Sequence, residues 1–137
     1  MGADGSIAAM FSWKRPTNLG VKEGRLAPCK RSPNCVSSQA DPADREHYIA
    51  PISFRGSMES LRRAVESMER STVIRAERDY LYAEYRTKLL RYVDDVELYY
   101  DEKQGVVHVR SASRLGRRDF GVNRNRIEAL RRVIAGL

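Results

Sequence analysis

The chain has 137 residues, the size of one domain and too short for two ordinary ones. Apolar residues make up 42% and charged residues 31%, which supplies one core and excludes a wholly disordered chain. No stretch approaches the roughly 18 apolar residues of a spanning helix, so no membrane span is expected.

The formal charge of +7 is unevenly placed: residues 110–137 carry eight Arg, no Lys and two acidic residues, for +6, while residues 51–109 sum to −1. Arg presents a planar fork suited to phosphate and carboxylate, which points to an anionic ligand or an acidic protein as partner. A solvated basic helix face is the plainer account.

In chain order, residues 1–20 read as a flexible arm, with Trp13 resting on the body. The apolar run Ile7–Phe11 has no basic residue ahead of it and is shorter than a signal-peptide core, so the expected location is the cytoplasm. Residues 21–137 read as a single domain. Its segment 24–47 holds three of the five prolines together with Asn, Ser, Asp and Gly, and reads as a long ordered loop. Ile49, Ile52 and Phe54 suggest a short edge strand around a proline. Ser57 is a good N-cap for a helix near 57–70, whose stripe is Met58, Leu61, Val65 and Met68.

Four strand-like runs follow: Thr72–Ala76, Tyr80–Arg86, Val93–Tyr100 and Val106–Ala112, with residues 102–105 as a hairpin turn. Asn123 is the expected N-cap of a last helix carrying Ile127, Leu130, Ile134 and Leu137. The resulting expectation is an α+β fold of order β-α-β-β-β-β-α. It is an antiparallel meander of four to five strands with two amphipathic helices packed on one face. Alternation places Glu84, Arg86, Glu97, His108 and Arg110 on the opposite face, either as cross-strand ion pairs in solvent or as a shallow polar platform.

Two segments together carry a resemblance. One runs Leu26-Ala27-Pro28-Cys29-Lys30-Arg31-Ser32-Pro33-Asn34-Cys35-Val36-Ser37-Ser38. The other runs from Val107 through His108, Arg110, Ser111, Ser113, Arg114 and Gly116 to Asp119, Gly121, Asn123 and Arg124. Arg91-Tyr92-Val93-Asp94-Asp95-Val96-Glu97 lies between them. Over roughly residues 18–134 the chain resembles the domain of unknown function 1499 family. The resemblance implies a compact domain of bacteria and plastid-bearing organisms, with no activity and no catalytic residue to carry over. Many relatives carry an N-terminal hydrophobic or targeting segment, which is not read here. The chain departs from them at Lys30, Arg31, Arg117 and Arg118, where relatives are more often less basic.

Several chemistries can be argued down. His108 lies three residues from Ser111 on one strand, so the two face opposite sides, and no Gly-x-Ser-x-Gly elbow is present. Cys29 and Cys35, with five residues between them, lack the ligand set of a closed zinc site, since only His47 and His108 could complete one. A disulfide between them is sterically feasible and would usually be open in a reducing compartment. Lys30 and Arg31 would lower a thiol pKa there. Asp94, Asp95 and Glu97 split between two faces, and no cofactor fingerprint occurs, so neither a metal nor a cofactor is expected.

The leading expectation is a non-enzymatic module. It would recognise an anionic group through Arg110, Ser111, Ser113, Arg114, Asn123 and Arg124, where a strand runs into a helix N-terminus. One alternative is a thiol enzyme or redox protein centred on Cys29 and Cys35, with Asn34 shaping the loop. The other is nucleic-acid binding through the C-terminal Arg cluster.

Overall fold

The computed structural model describes residues 14–137. The strands are β1 (Cys35–Ser37), β2 (Ile52–Ser53), β3 (Ser71–Ala76), β4 (Tyr80–Arg86), β5 (Val93–Asp101) and β6 (Val106–Ser113). The helices are α1 (Met58–Glu66), between β2 and β3, and α2 (Val122–Ala135), after β6. One antiparallel sheet runs β1-β6-β5-β4-β3, and β2 shares the outer edge of β6 with β1. The expected order is therefore the observed one, with a small strand added. The additional pairing lies within the segment read as a loop: Cys35–Ser37 align with Arg110–Ala112.

Short connections keep β3 to β6 sequential neighbours. The β5–β6 hairpin closes at Gly105, whose φ of +67° favours a residue without a Cβ. Ser57 caps α1 by accepting from the Ser60 N–H at 3.1 Å. Both helices lie on one face, because their stripes have only the sheet to bury against. Leu61 and Val65 of α1, and Ile127 and Leu130 of α2, pack on Leu81, Ala83, Val96, Leu98, Val107 and Val109. Leu137, read as the end of the last stripe, is exposed.

The opposite face is a correction. Its centre is neither solvated nor a shallow platform: Glu84, Glu97 and Arg110 are buried, His108 is half-buried, and of the five residues only Arg86, at the end of its strand, is exposed. The chain from Lys14 onward crosses it. Leu19, Val21 and Leu26 cover Tyr80 and Tyr82, Arg15 pairs with Glu84 at 2.8 Å, and the Gly20 N–H donates to Glu97 at 2.8 Å. This cover has almost no regular secondary structure, so periodicity could not announce it. Trp13 and the rest of the expected arm before Lys14 lie outside the described residues.

Candidate functional site

The charged residues of the covered face are arranged by strand alternation. Glu97 of β5 stands opposite Arg110 of β6, and Glu84 of β4 stands opposite Asp95 of β5. Arg114, just past β6, reaches back across the sheet. It donates to Asp95 through Nε at 2.9 Å and Nη2 at 2.8 Å, and to Glu84 at 2.6 Å. Tyr82 donates to Asp95 and Glu84, and Tyr80 donates to Glu97. Burial, and then the hydrogen bond to the neighbouring carboxylate, push both phenols well above their ordinary pKa. Burial alone would raise the Glu84 pKa, but Arg15 and Arg114 hold it below the usual carboxylate value.

Arg110 is the exception in this satisfied network. It is 5% exposed, its Nη2 donates to the Pro28 carbonyl at 3.3 Å, and its Nη1 lies 4.0 Å from Glu97 Oε1. Its Nε and Glu97 Oε1 are buried with no hydrogen-bond partner among the described residues. Burial disfavours the Arg110 charge and lowers its pKa, opposed by Glu97 and Asp95. Arg110 lines a cleft of about 390 Å³ with Lys14, Lys30, Asn34, Cys35, Asp95, Ser113 and Arg114. Lys14 and Lys30 are exposed and form no ion pair with a described residue.

Three of the six anion-site residues thus share one cleft: Arg110, Ser113 and Arg114. The other three do not. Asn123 is not the N-cap; that residue is Gly121, in the left-handed conformation, and no side chain caps from that position. Asn123 is instead a fully buried hub. It accepts from Ser111 Oγ and donates to Ser113 Oγ at 2.8 Å, to Asp119 at 2.7 Å and to the Asn34 carbonyl at 3.3 Å. Ser111 is therefore tied to α2 rather than to a strand end. Asp119 accepts from the Gly121 and Asn123 N–H groups at 2.9 and 3.1 Å, so a carboxylate already occupies the helix start. Arg124 donates to the Arg45 and Glu46 carbonyls at 3.2 and 3.3 Å, beside a separate cleft.

The C-terminal Arg cluster is likewise dispersed. Arg110 and Arg114 lie under the N-terminal cover. Arg126 pairs with buried Asp94 at 2.7 Å and lies over the Tyr85 ring, while Arg131 holds the Ala50 and Pro51 carbonyls at 2.7 Å each. Burial raises the Asp94 pKa, and Arg126 opposes the rise.

Cys29 and Cys35 form a disulfide, the pairing that is sterically feasible from the sequence. The bond joins the covering segment to β1, which pairs with β6, so the fold itself brings the sulfurs together. Cys35 lines the cleft of Arg110, and Cys29 lines a neighbouring cleft with Lys30, Arg31, Asp44 and His47. Asn34 supports the loop through its amide, which donates to the Gly116 carbonyl at 2.8 Å.

Two histidine environments escaped sequence reading because their partners are tertiary. His47 Nδ1 faces Asp44 at 2.8 Å and Nε2 faces the Ser32 carbonyl at 2.9 Å. Both partners only accept, an arrangement that favours the doubly protonated ring. Burial alone would lower its pKa; the Ser32 carbonyl and Asp44 raise it overall. His108 Nδ1 faces Ser38 Oγ at 3.2 Å, and its ring stacks on Tyr99. Burial lowers the His108 pKa. This is the serine that His108 meets, instead of Ser111. Ser38 also accepts from the Val109 N–H at 2.8 Å, and no described carboxylate bonds the imidazole, so no triad is assembled. Among the described residues no group of three or more His, Cys, Asp or Glu is placed to hold a metal ion. No helix among them is long and apolar enough to cross a membrane.

The fold and site define a small α+β domain in which a disulfide-tied segment seals a charged sheet face. The chain belongs to the family described as Protein of unknown function (DUF1499), which matches residues 25–134. Neither the curated proteins nor the solved structures gave a match.

Proposed function

We propose that this domain is a binding module for a small anionic group, a phosphate or carboxylate, held in the cleft of Lys14, Lys30, Asn34, Arg110 and Ser113. The observation that carries the reading is the buried Arg110 guanidinium, whose Nε has no partner among the described residues, beside two rim lysines that form no ion pair with a described residue. A buried donor left unsatisfied costs about 1–3 kcal/mol, and more when charged, so an acceptor that reaches this guanidinium from the cleft offsets part of that cost. Ser113 and Asn34 shape the wall of the cleft, with the Asn34 amide committed to the Leu115 and Gly116 carbonyls, so the ligand's remaining oxygens face the rim lysines. Arg114 contributes by clamping Asp95 and Glu84, which keeps their charge from the ligand. Ser111, Asn123 and Arg124 act at one remove, by fixing the strand-to-helix segment that carries Ser113.

The test compares phosphate with chloride at equal ionic strength in thermal unfolding. Phosphate raises the melting temperature by mass action on the folded state. Lys14→Gln with Lys30→Gln, two exposed changes that break no ion pair among the described residues, removes the phosphate-specific part. The general effect of excluded anions stays. An equal phosphate response in the double variant refutes the reading.

A second reading, reversible redox chemistry at Cys29–Cys35, is favoured by Lys30, Arg31 and His47, which line one cleft with Cys29 and whose positive charge would stabilise a thiolate on reduction. A reduction potential above about −230 mV supports it, and one below about −300 mV marks a purely structural bond. Nucleic-acid binding through the C-terminal Arg residues is disfavoured by their dispersal over separate faces.

A further inference from the structure

The hydrogen-bond register places two loops at the same end of the sheet. The β4–β5 loop, residues 87–92, leaves the Arg86–Val93 pair and closes through Thr87 N–H to the Tyr92 carbonyl at 2.8 Å. The segment from Arg114 to Gly121 starts beside it, with the Arg114 N–H donating to the Val93 carbonyl at 3.2 Å. These loops carry the three most exposed large apolar side chains among the described residues: Phe120 at 91%, Leu89 at 87% and Leu90 at 65%. None of them belongs to a hydrophobic cluster of the described residues. Phe120 also sits at φ +54°, a conformation that disfavours a bulky aromatic.

Cations surround these tips. Arg86, Lys88, Arg91, Arg117 and Arg118 are exposed, and none forms an ion pair with a described residue. Residues 86–92 contain no acidic residue. The single acid of residues 114–121, Asp119, is turned inward onto the start of α2. Glu46, which shares clefts with Phe120, Arg117 and Arg118, is the one other acid set against these cations in those clefts.

We infer that this end of the sheet docks on a bilayer surface bearing anionic phospholipids, with Leu89, Leu90 and Phe120 entering the headgroup boundary and the five cations facing lipid phosphates. Charge complementarity supplies the choice of occupant. The apolar groups are few and lie on two separate loops, whereas a protein partner of standard size needs a continuous complementary patch of about 800 Å². Aliphatic Leu tips offer no stacking plane to nucleic-acid bases. A bilayer interface takes isolated apolar side chains, and each basic residue near an anionic surface adds about fivefold to partitioning. The docking is peripheral and reversible, and it is independent of the anion cleft.

The experiment is co-sedimentation of the full chain with phosphatidylcholine vesicles, with and without phosphatidylserine, at low and high salt. Binding is expected only with phosphatidylserine and is weakened by salt. Leu89→Ser with Leu90→Ser reduces it about tenfold, and Phe120→Asn reduces it further. Lys88→Gln with Arg117→Gln and Arg118→Gln reduces it about 100-fold. These positions are exposed, so each variant keeps the parent unfolding transition. Absence of binding to the anionic vesicles overturns the inference. So does vesicle binding that the leucine changes leave untouched, because the surface is then a plain polycation. Tighter binding to single-stranded RNA than to phosphatidylserine vesicles, indifferent to Leu89 and Leu90, overturns it as well.

Discussion

Asn123→Ala separates a helix cap from a buried hub. A lost cap costs about 1 kcal/mol. The observed contacts predict more. Asn123 is fully buried, and its removal strands the hydroxyl of Ser111, which is equally buried. An unsatisfied buried hydroxyl costs about 1–3 kcal/mol, and the charge-assisted bond from the amide to Asp119 adds about 1.5–3 kcal/mol. The Asn34 carbonyl is spared, because the Ser113 N–H still donates to it at 3.0 Å. Allowing for non-additivity, the expected loss is about 3–5 kcal/mol. With an unfolding entropy of about 2.1 cal/mol/K per residue, a chain of 137 residues loses roughly 10–17 °C in Tm. Urea unfolding at constant m-value measures the loss directly. Ser111→Ala in the Asn123→Ala background should be much cheaper than in the parent, with a coupling of about 1–2 kcal/mol. A loss under about 2 kcal/mol, or additive single changes, would refute the hub.

Leu61→Ala and Ile127→Ala should each cost about 2–5 kcal/mol in urea unfolding, since both are fully buried between helices and sheet. Reduction of Cys29–Cys35 should cost about 2 kcal/mol, the loop entropy of a short ring, and Cys29→Ser should reproduce the loss without a reductant. The two histidines should give opposite pH dependence. His47 has a raised pKa, so its contribution is complete below its unfolded pKa of about 6.5 and disappears as pH rises through the folded value. His108 has a lowered pKa, so its contribution is complete above about 6.5 and disappears as pH falls through the folded value. Stability measured from mildly acidic to mildly alkaline pH in His47→Gln and His108→Gln should show each slope vanish in its own variant.

Much of the architecture was legible because it follows from local chemistry. Stripes at steps of three and four residues define both helices, Ser57 marks the first helix start, and the β5–β6 turn needs a residue like Gly105. Strand alternation also assigned Glu84, Glu97, His108 and Arg110 to one face, and Ser111 to the other. The environment of that face was not legible. A segment of irregular backbone covers it, and its anchors, Arg15 on Glu84, Gly20 on Glu97 and Cys29 on Cys35, join residues far apart in sequence or brought together only by strand pairing. The pattern marked Asn123 as the cap, but the helix starts at Val122 after Gly121, two residues earlier, and that shift turns Asn123 from a cap toward Ser111 in the core. Sequence by itself determined how much charge the C-terminal fifth carries. Only the tertiary structure decided which of those charges are spent on buried carboxylates and backbone carbonyls and which face outward, because strand register and helix packing set the distances between them.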